Sequence, residues 1–273
     1  MQVRLIRRAG VAVLAAAAVI LAASAAADLP SIVCSFRVSG TAPPCARGIY
    51  AWSWATAYVY GVFYHGPNDN YIYEFNTSGS IVSSAKLPGA VRLGDADFAP
   101  DGYGGYVAVV DEGTHELKAY TTTGSYGGVI RTLPGDVVAY ARGGYVSDYL
   151  YLGTGAGVVY RYTPTWSFLN SYDTGAALAD LAAGNGYRYY WGYYLEVGPT
   201  RPGDPVRVFD SWSGYPQGSF PLPGVRNCGA VGGGDSYWCL RDTGNEIWAY
   251  GVRIAMLMAV EPASLGRVKA LFR

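Results

Sequence analysis

A short segment that mixes apolar and aromatic residues recurs along the chain. Its copies read YIYEF ending at Phe75, ELKAY ending at Tyr120, VVYRY ending at Tyr162, PVRVF ending at Phe209 and EIWAY ending at Tyr250. The intervals between them are 45, 42, 47 and 41 residues. A period in this range is typical of folds that repeat one small structural unit, so the chain is expected to be a repeat protein.

Each copy belongs to a larger unit of strand-like segments. An alternating strand precedes each copy: YVYGVFY (58–64), YVAVVD (106–111), YLYLGT (149–154), YYWGYYLEV (189–197) and YWCLRD (237–242). Segments rich in small residues come before these pairs, as in RLGDADFAP (92–100), DVVAYARGG (136–144) and AALADLAAG (176–184), and outer segments such as SIVSSAKLPG (80–89) and GGVIRTLPG (127–135) follow them. Four strands in roughly 40 to 45 residues predict the blade of a β-propeller.

The repeat count predicts an all-β propeller of five four-stranded blades within residues 28–256. The N-terminal segment SIVCSFRVSG (31–40) copies the outer strand SIVSSAKLPG (80–89), whereas the last unit has no comparably clear outer strand. We therefore expect the chain start to complete the final blade and so remove an open sheet edge. Six blades would require one degenerate unit, and a solenoid or a two-sheet sandwich is the structural alternative.

The composition agrees with a sheet-rich fold. The 273 residues include 37 Gly, 25 Tyr and 7 Trp, and only 15% are charged. Aromatic residues suit pleated, half-buried surfaces, and Gly supplies the backbone conformations of tight turns. The 20 Lys and Arg balance the 20 Asp and Glu. Without a strong field of either sign, we expect no nucleic-acid partner.

Both ends of the chain carry segments with a different pattern. Residues 1–27 combine three arginines, an apolar run and small residues before Asp28, which predicts a signal peptide. A retained membrane anchor is the alternative, but the apolar run is short for a bilayer span. We expect a secreted or cell-surface protein that meets the membrane only through the signal peptide during export. Residues 257–273 form a short basic tail, interpreted as a sorting signal or as a frayed or helical end.

The four cysteines form two pairs with equal spacing: Cys34 with Cys45, and Cys228 with Cys239. An even count in an exported chain predicts disulfides, and more than one connectivity is formally allowed. We favour Cys34–Cys45 and Cys228–Cys239. Cys228 and Cys239 lie about equally far from the expected hairpin turn VGGGD (231–235), so they are expected to oppose each other across that hairpin.

Two stretches resemble the NHL-type propeller repeat. PDGYGGYVAVVDEGTHELKAYTTTG and DSYWCLRDTGNEIWAYG contain its polar turn, alternating strand, second turn and apolar strand in that order. The resemblance spans residues 31 to about 252 and departs at the longer turns 65–70 and 195–205. It implies a rigid scaffold, mostly for binding and in some members for lyase, lactonase or peptidyl chemistry. A fold alone does not fix function.

The expected blade topology gathers polar residues on one rim. If the strands run A to D from the centre outward, the B–C turns and D–A connections open on the same face. Candidate rim residues are His65, Asp69, Asp111, Glu112, His115, Glu116, Glu196, Arg201, Asp204 and Asp242. Binding residues favour loops on a rigid frame, so this rim is the preferred binding face.

An enzyme would need some of these groups to act together. His65 or His115 with Asp111 or Glu112 could support acid–base or metal chemistry, but no fixed-spacing motif joins them. Solvated turn residues are the simpler interpretation, and no residue is assigned as catalytic. Asp97 and Asp180, counted as equivalent on inner strands, could hold Ca²⁺ in the channel or instead cap backbone groups.

Aromatic residues suggest a second surface. Trp212 and Tyr215 fall in a C–D turn, on the face opposite the rim, and are expected to be exposed. The sequence therefore predicts a secreted, non-catalytic propeller that binds a protein or glycan partner. The alternative is a propeller lyase or hydrolase with a His/carboxylate site on the B–C face.

Overall fold

The structure is a computed structural model that describes residues 31–37, 46–51, 58–76, 80–100, 102, 106–143, 149–185, 193–199, 205–220, 227–230, 236–242 and 247–253. Side chains are described for residues 47, 61–62, 66–76, 80–100, 102, 106–143, 149–183, 205–216 and 219. The predicted signal peptide 1–27 and tail 257–273 lie outside the described residues.

Regular structure in the described residues consists of β-strands, which form five four-stranded sheets. The N-terminal strand is β1 (Ser31–Arg37). Sheet 1 contains β2 (Ala46–Ala51), β3 (Tyr58–Gly66), β4 (Asp69–Asn76) and β5 (Ile81–Lys86). Sheet 2 contains β6 (Leu93–Phe98), β7 (Tyr106–Asp111), β8 (Glu116–Thr121) and β9 (Tyr126–Thr132). Sheet 3 contains β10 (Val137–Arg142), β11 (Leu150–Thr154), β12 (Val158–Tyr162) and β13 (Phe168–Asp173).

The remaining sheets follow the same order along the chain. Sheet 4 contains β14 (Leu178–Asn185), β15 (Tyr193–Pro199), β16 (Val206–Asp210) and β17 (Pro216–Phe220). Sheet 5 contains β18 (Asn227–Ala230), β19 (Ser236–Asp242) and β20 (Ile247–Arg253), and β1 lies beside β20. Residues Ile32–Arg253 form one compact unit.

Alternating side chains pack successive sheets against each other. In β7, Val107 and Val109 join a buried cluster with residues of sheet 1, whereas Ala108 and Val110 join one with residues of sheet 3. A third cluster, which includes Tyr151, joins sheets 3 and 4. The two-residue period of a strand therefore supplies apolar groups to both faces of a sheet at once.

The first strand of each sheet contacts the first strands of the sheets next to it. These contacts join β2 to β6, β6 to β10, β10 to β14, β14 to β18, and β18 to β2. Each of these strands also contains a register shift against its neighbour within the sheet. Bulges of this kind increase strand twist and re-aim side chains. The expectation of an all-β, propeller-like arrangement of four-stranded antiparallel sheets is confirmed.

Candidate functional site

The rim turn between β7 and β8 is anchored by a buried carboxylate. Asp111 is fully buried. It accepts hydrogen bonds from the backbone N–H groups of Val91 at 2.9 Å, Arg92 at 3.0 Å and Gly113 at 3.0 Å. Burial acts to raise the pKa of Asp111, but the Lys118 ammonium and these backbone donors outweigh it and hold the pKa below its usual value. Asp111 therefore fixes the connection between sheets 1 and 2.

Lys118 of β8 completes this anchor. Its Nζ lies 2.7 Å from Asp111 Oδ2 and donates to the carbonyl oxygen of Gly89 at 2.7 Å. The same Nζ lies 3.3 Å from Glu116 Oε2. Lys118 is almost fully buried, so this cation and its carboxylates hold the turn together rather than facing solvent.

His115 stands on the exposed part of the same turn. Its φ of 54° lies in the left-handed region, and its carbonyl oxygen accepts a hydrogen bond from Leu133 N at 2.7 Å. Glu112 pairs instead with Arg92 Nε at 3.1 Å, and burial raises the pKa of Glu112 while Arg92 opposes that rise. Among the described residues, no hydrogen bond or ion pair joins His115 to a carboxylate, so the geometry of a coupled acid–base pair is not present there.

The remaining rim residues do not converge on one described group. Asp69 pairs with Lys86 at 3.0 Å, and both side chains are about half exposed. His65 lies at a register shift of β3 and Asp242 ends β19, with side chains outside the described residues. Arg201 and Asp204 lie outside the described residues altogether.

Glu196 requires a correction. It was expected in a long B–C turn, but it lies in the middle of β15, paired with Ala182 of β14 and Val208 of β16. The strand β15 continues to Pro199, so the turn starts later in the chain than expected.

The cysteines lie on strands whose side chains are not described. Cys239 is paired with Ala230, while Cys228 falls at the register shift between Asn227 and Gly229. The direct cross-strand opposition expected for Cys228 and Cys239 is therefore not the observed register. Cys34 lies in β1, Cys45 is outside the described residues, and both disulfides stay predictions.

Three buried carboxyl groups lie on the first strands of sheets 2 and 4: Asp95, Asp97 and Asp180. Asp97 Oδ1 accepts a hydrogen bond from Phe98 N at 2.7 Å, and its Oδ2 accepts one from Arg142 N at 2.8 Å. Burial raises the pKa of Asp97 to about 7, although these donors oppose the rise. The side chain of Asp97 therefore caps backbone groups.

Asp180 of sheet 4 forms a pair with Asp95 of sheet 2. The two side chains are hydrogen bonded to each other, and Asp95 Oδ2 also accepts from Tyr140 N at 3.1 Å and Leu181 N at 3.3 Å. Burial raises the pKa of both carboxyl groups well above the usual value, and the charge of Asp95 raises that of Asp180 further. The described residues contain no group of three or more His, Cys, Asp or Glu that could hold a metal ion.

The turn from Ser211 to Tyr215, between β16 and β17, presents two large aromatic side chains. Trp212 is 56% exposed and Tyr215 is 67% exposed, which confirms the expectation for this pair. Asp210 Oδ1 accepts hydrogen bonds from Trp212 N at 3.1 Å and from both N and Oγ of Ser213 at 2.7 Å. Asp210 N donates to Tyr215 O at 2.8 Å. The backbone beneath the two rings is therefore fixed.

A buried arginine supports this turn from sheet 3. Arg161 is 2% exposed, and its guanidinium lies 4.0 Å from the ring centroids of both Tyr149 and Trp212. Its Nη1 donates to Trp212 O at 3.3 Å, and Asn170 Nδ2 donates to the same oxygen at 3.1 Å. The arrangement offers exposed rings for stacking above a cation, a combination that the sequence pattern VVYRY did not indicate.

Comparisons with known proteins give no family assignment. No protein-family model matches the chain, and no curated protein matches it. The part of the chain that the structure describes contains no helix long and apolar enough to cross a membrane.

Solved structures show similarity at low sequence identity. The chain is similar to a streptogramin B lyase, with a TM-score of 0.44 and 15% identity over 78% of this chain and 68% of that chain. It is also similar to a catalytically inactive virginiamycin B lyase from Staphylococcus aureus with quinupristin, with a TM-score of 0.43 and 13% identity over 78% and 68% of the two chains. A selenomethionine-substituted virginiamycin B lyase from the same organism gives a TM-score of 0.42, 13% identity and the same coverage. The propeller-like arrangement of this chain follows from its own sheet topology.

Proposed function

We propose that this chain is exported and acts outside the cell as a non-catalytic β-propeller that binds a protein or glycan partner. The proposal includes a closed ring of five NHL-type blades, with β1 as the outer strand of the last. The contacts that run from β2 through β18 and back to β2 support the ring, and the pattern of residues 1–27 supports export.

The observation that carries the binding function is the exposed pair Trp212 and Tyr215 on a hydrogen-bonded turn. Exposed aromatic rings bury large area on binding and lose little conformational freedom when the backbone is already fixed. On the rim, by contrast, Asp111, Glu112 and Asp69 are engaged in ion pairs. We therefore place the contact surface at the Trp212 turn instead of the B–C rim.

An array that carries both glycans and peptides tests this function. The wild type is compared with Trp212→Ala, Tyr215→Ala and the matched control Tyr126→Ala, which removes an aromatic ring that is 49% exposed on β9 of another sheet. We expect Trp212→Ala and Tyr215→Ala each to weaken binding by about tenfold, since central aromatic contacts contribute about 1 to 2 kcal/mol or more. Tyr126→Ala is expected to bind like the wild type.

The same array, followed by mass spectrometry of its ligands, separates binding from catalysis. We expect no turnover in the wild type and unchanged binding in His115→Ala, because His115 is an exposed turn residue. Turnover that disappears in His115→Ala would establish the enzyme alternative. Wild-type binding that survives both Trp212→Ala and Tyr215→Ala would place the partner elsewhere.

A further inference from the structure

A polar row crosses the face of sheet 3 that packs toward sheet 4. Tyr151 of β11 is paired with Arg161 of β12, and Arg161 is paired with Asn170 of β13. Directly paired residues point to the same face of a sheet. Tyr172, two residues beyond Asn170, continues the row and packs with Phe209 of sheet 4. The row ends beneath the Trp212 turn, because Arg161 and Asn170 both donate to Trp212 O.

The guanidinium of Arg161 carries the positive charge of this row. Among the described residues, no ion pair reaches Arg161, although it is 2% exposed. The Asp210 carboxylate lies in the same cluster, where its Oδ1 accepts hydrogen bonds from the turn, but it forms no direct ion pair with Arg161. The rings of Tyr149 and Trp212 stabilise the guanidinium without neutralising it. A buried guanidinium that forms no direct ion pair is stabilised further by an anion at the adjoining surface.

Three polar atoms of the row also lack hydrogen-bond partners among the described residues. They are Arg161 Nε, Asn170 Oδ1 and Tyr172 OH. All three residues adjoin the turn: Arg161 and Asn170 donate to Trp212 O, and a Cβ on Gly214 would overlap the ring of Tyr172. Unpartnered buried polar atoms are rare in folded proteins. Together they offer a charged donor, an amide acceptor and a hydroxyl behind an indole that is itself more than half exposed.

We propose that the Trp212 turn and the polar row beneath it bind a carboxylated glycan. A sugar ring stacks on Trp212 and Tyr215, and the uronate carboxylate is held by Arg161 when the indole of Trp212 turns outward. Asn170 and Tyr172 take sugar hydroxyls in this arrangement. The inference rests on the proposed function, since it names the ligand class of the same surface.

Two matched probes test the charge preference without altering the protein. Hexagalacturonate presents the carboxylates, and its methyl-esterified form retains the rings and hydroxyls but lacks the charge. By isothermal titration calorimetry at low salt, we expect the acid to bind about tenfold tighter, the magnitude of a charge-assisted hydrogen bond. We expect the difference to shrink as salt is added.

Variants assign the preference to Arg161. Arg161→Gln is expected to bring the two affinities within about twofold of each other, because it removes the charge on which the preference depends. The matched control is Arg131→Gln. Arg131 lies on β9 of sheet 2, and its guanidinium carbon is 4.9 Å from the ring centroid of Trp166, which occupies the corresponding turn of sheet 3. Circular dichroism checks that Arg161→Gln folds. If it does not fold, the wild-type comparison of the two probes still decides whether the surface prefers the carboxylated glycan.

Equal affinity for the two probes overturns the acidic preference, and so does a preference that persists in folded Arg161→Gln. If neither hexamer binds while Trp212→Ala abolishes capture of a neutral glycan or peptide on the array, the inference fails and the proposed function stands. If Trp212→Ala and Tyr215→Ala leave all binding unchanged, the proposed function fails as well.

Discussion

The side chains of Asp95 on β6 and Asp180 on β14 are hydrogen bonded to each other. The two strands belong to different sheets, and β10 contacts both of them. Asp95 also accepts backbone hydrogen bonds from Tyr140 on β10 and from Leu181 on β14. One carboxyl group thus links the first strands of three sheets. This junction stabilises the frame that holds the turns in place.

Removing the Asp95 carboxyl should therefore destabilise the frame strongly. Asp95→Ala leaves the buried N–H groups of Tyr140 and Leu181 without their acceptor, so we expect the free energy of unfolding to fall by about 3 kcal/mol. Asp180→Asn should lose less, because its amide can donate to Asp95. Urea unfolding measures both, and an Asp95→Ala loss no larger than that of Asp180→Asn would contradict this role.

Asp97 predicts a dependence of stability on pH. Burial raises its pKa to about 7 in the folded chain, above the ordinary value of 3.8. The folded state binds the proton more tightly, so this stabilising contribution is complete below pH 3.8 and is lost as pH rises through about 7. We expect Asp97→Asn to remove a decline of about 1 kcal/mol per pH unit between these values.

Urea unfolding at several pH values, with Asp136→Asn as the control, checks this prediction. Asp136 is an exposed carboxylate next to β10, so its replacement should leave the slope unchanged. Parallel pH profiles for the wild type and Asp97→Asn would exclude Asp97 as the source of the dependence.

The Asp111–Lys118 pair should respond asymmetrically to mutation. Asp111→Ala leaves the buried Lys118 ammonium and three backbone N–H groups without this carboxylate, so we expect a loss of about 3 kcal/mol or more. Lys118→Met should lose less, because the backbone donors still satisfy Asp111. Lys86→Met breaks the exposed pair with Asp69 and should change stability by less than about 1 kcal/mol. Equal losses for all three variants in urea titrations would refute the anchoring role of Asp111.

Gly214 tests whether the backbone of the Trp212 turn matters apart from its rings. Its φ is 71°, and an added Cβ would overlap the ring of Tyr172. Gly175 has a similar φ of 75° but no heavy atom within 4 Å of such a Cβ. Both changes to Ala introduce left-handed backbone strain of about 1 kcal/mol, and Gly214→Ala adds the steric clash. We expect only Gly214→Ala to weaken ligand binding on the array, and equal binding by the two variants would argue against a fixed turn.

The strands were predictable because their alternation is local. The segment YVAVVD was expected at 106–111 and forms β7 from Tyr106 to Asp111. Its side chains alternate between clusters on the two faces of sheet 2, so the pattern that marks the strand also specifies its packing.

The contacts of the inner carboxyl groups could not be obtained by counting residues. Counting back from the following strand makes Asp97 and Asp180 equivalent positions on their inner strands. The count fails because β6 has a register shift between Leu93 and Ala96, and β15 begins at Tyr193. A bulge changes which side chain faces the centre without a clear signal in a single sequence. The partner of Asp180 is accordingly Asp95.

The polar row had no sequence signal for a different reason. Arg161 and Trp212 are 51 residues apart, and they meet only because sheet 4 packs on sheet 3. Within VVYRY the arginine occupies an ordinary alternating position, so its burial depends on the neighbouring sheet.

Hydrogen–deuterium exchange with and without the tightest ligand from the array tests the central claim most directly. We predict that the ligand slows exchange in residues 206–220, which contain the Trp212 turn, and leaves residues 106–121 unchanged. Slowed exchange confined to residues 106–121, around Asp111 and His115, would contradict the account and return the binding site to the rim.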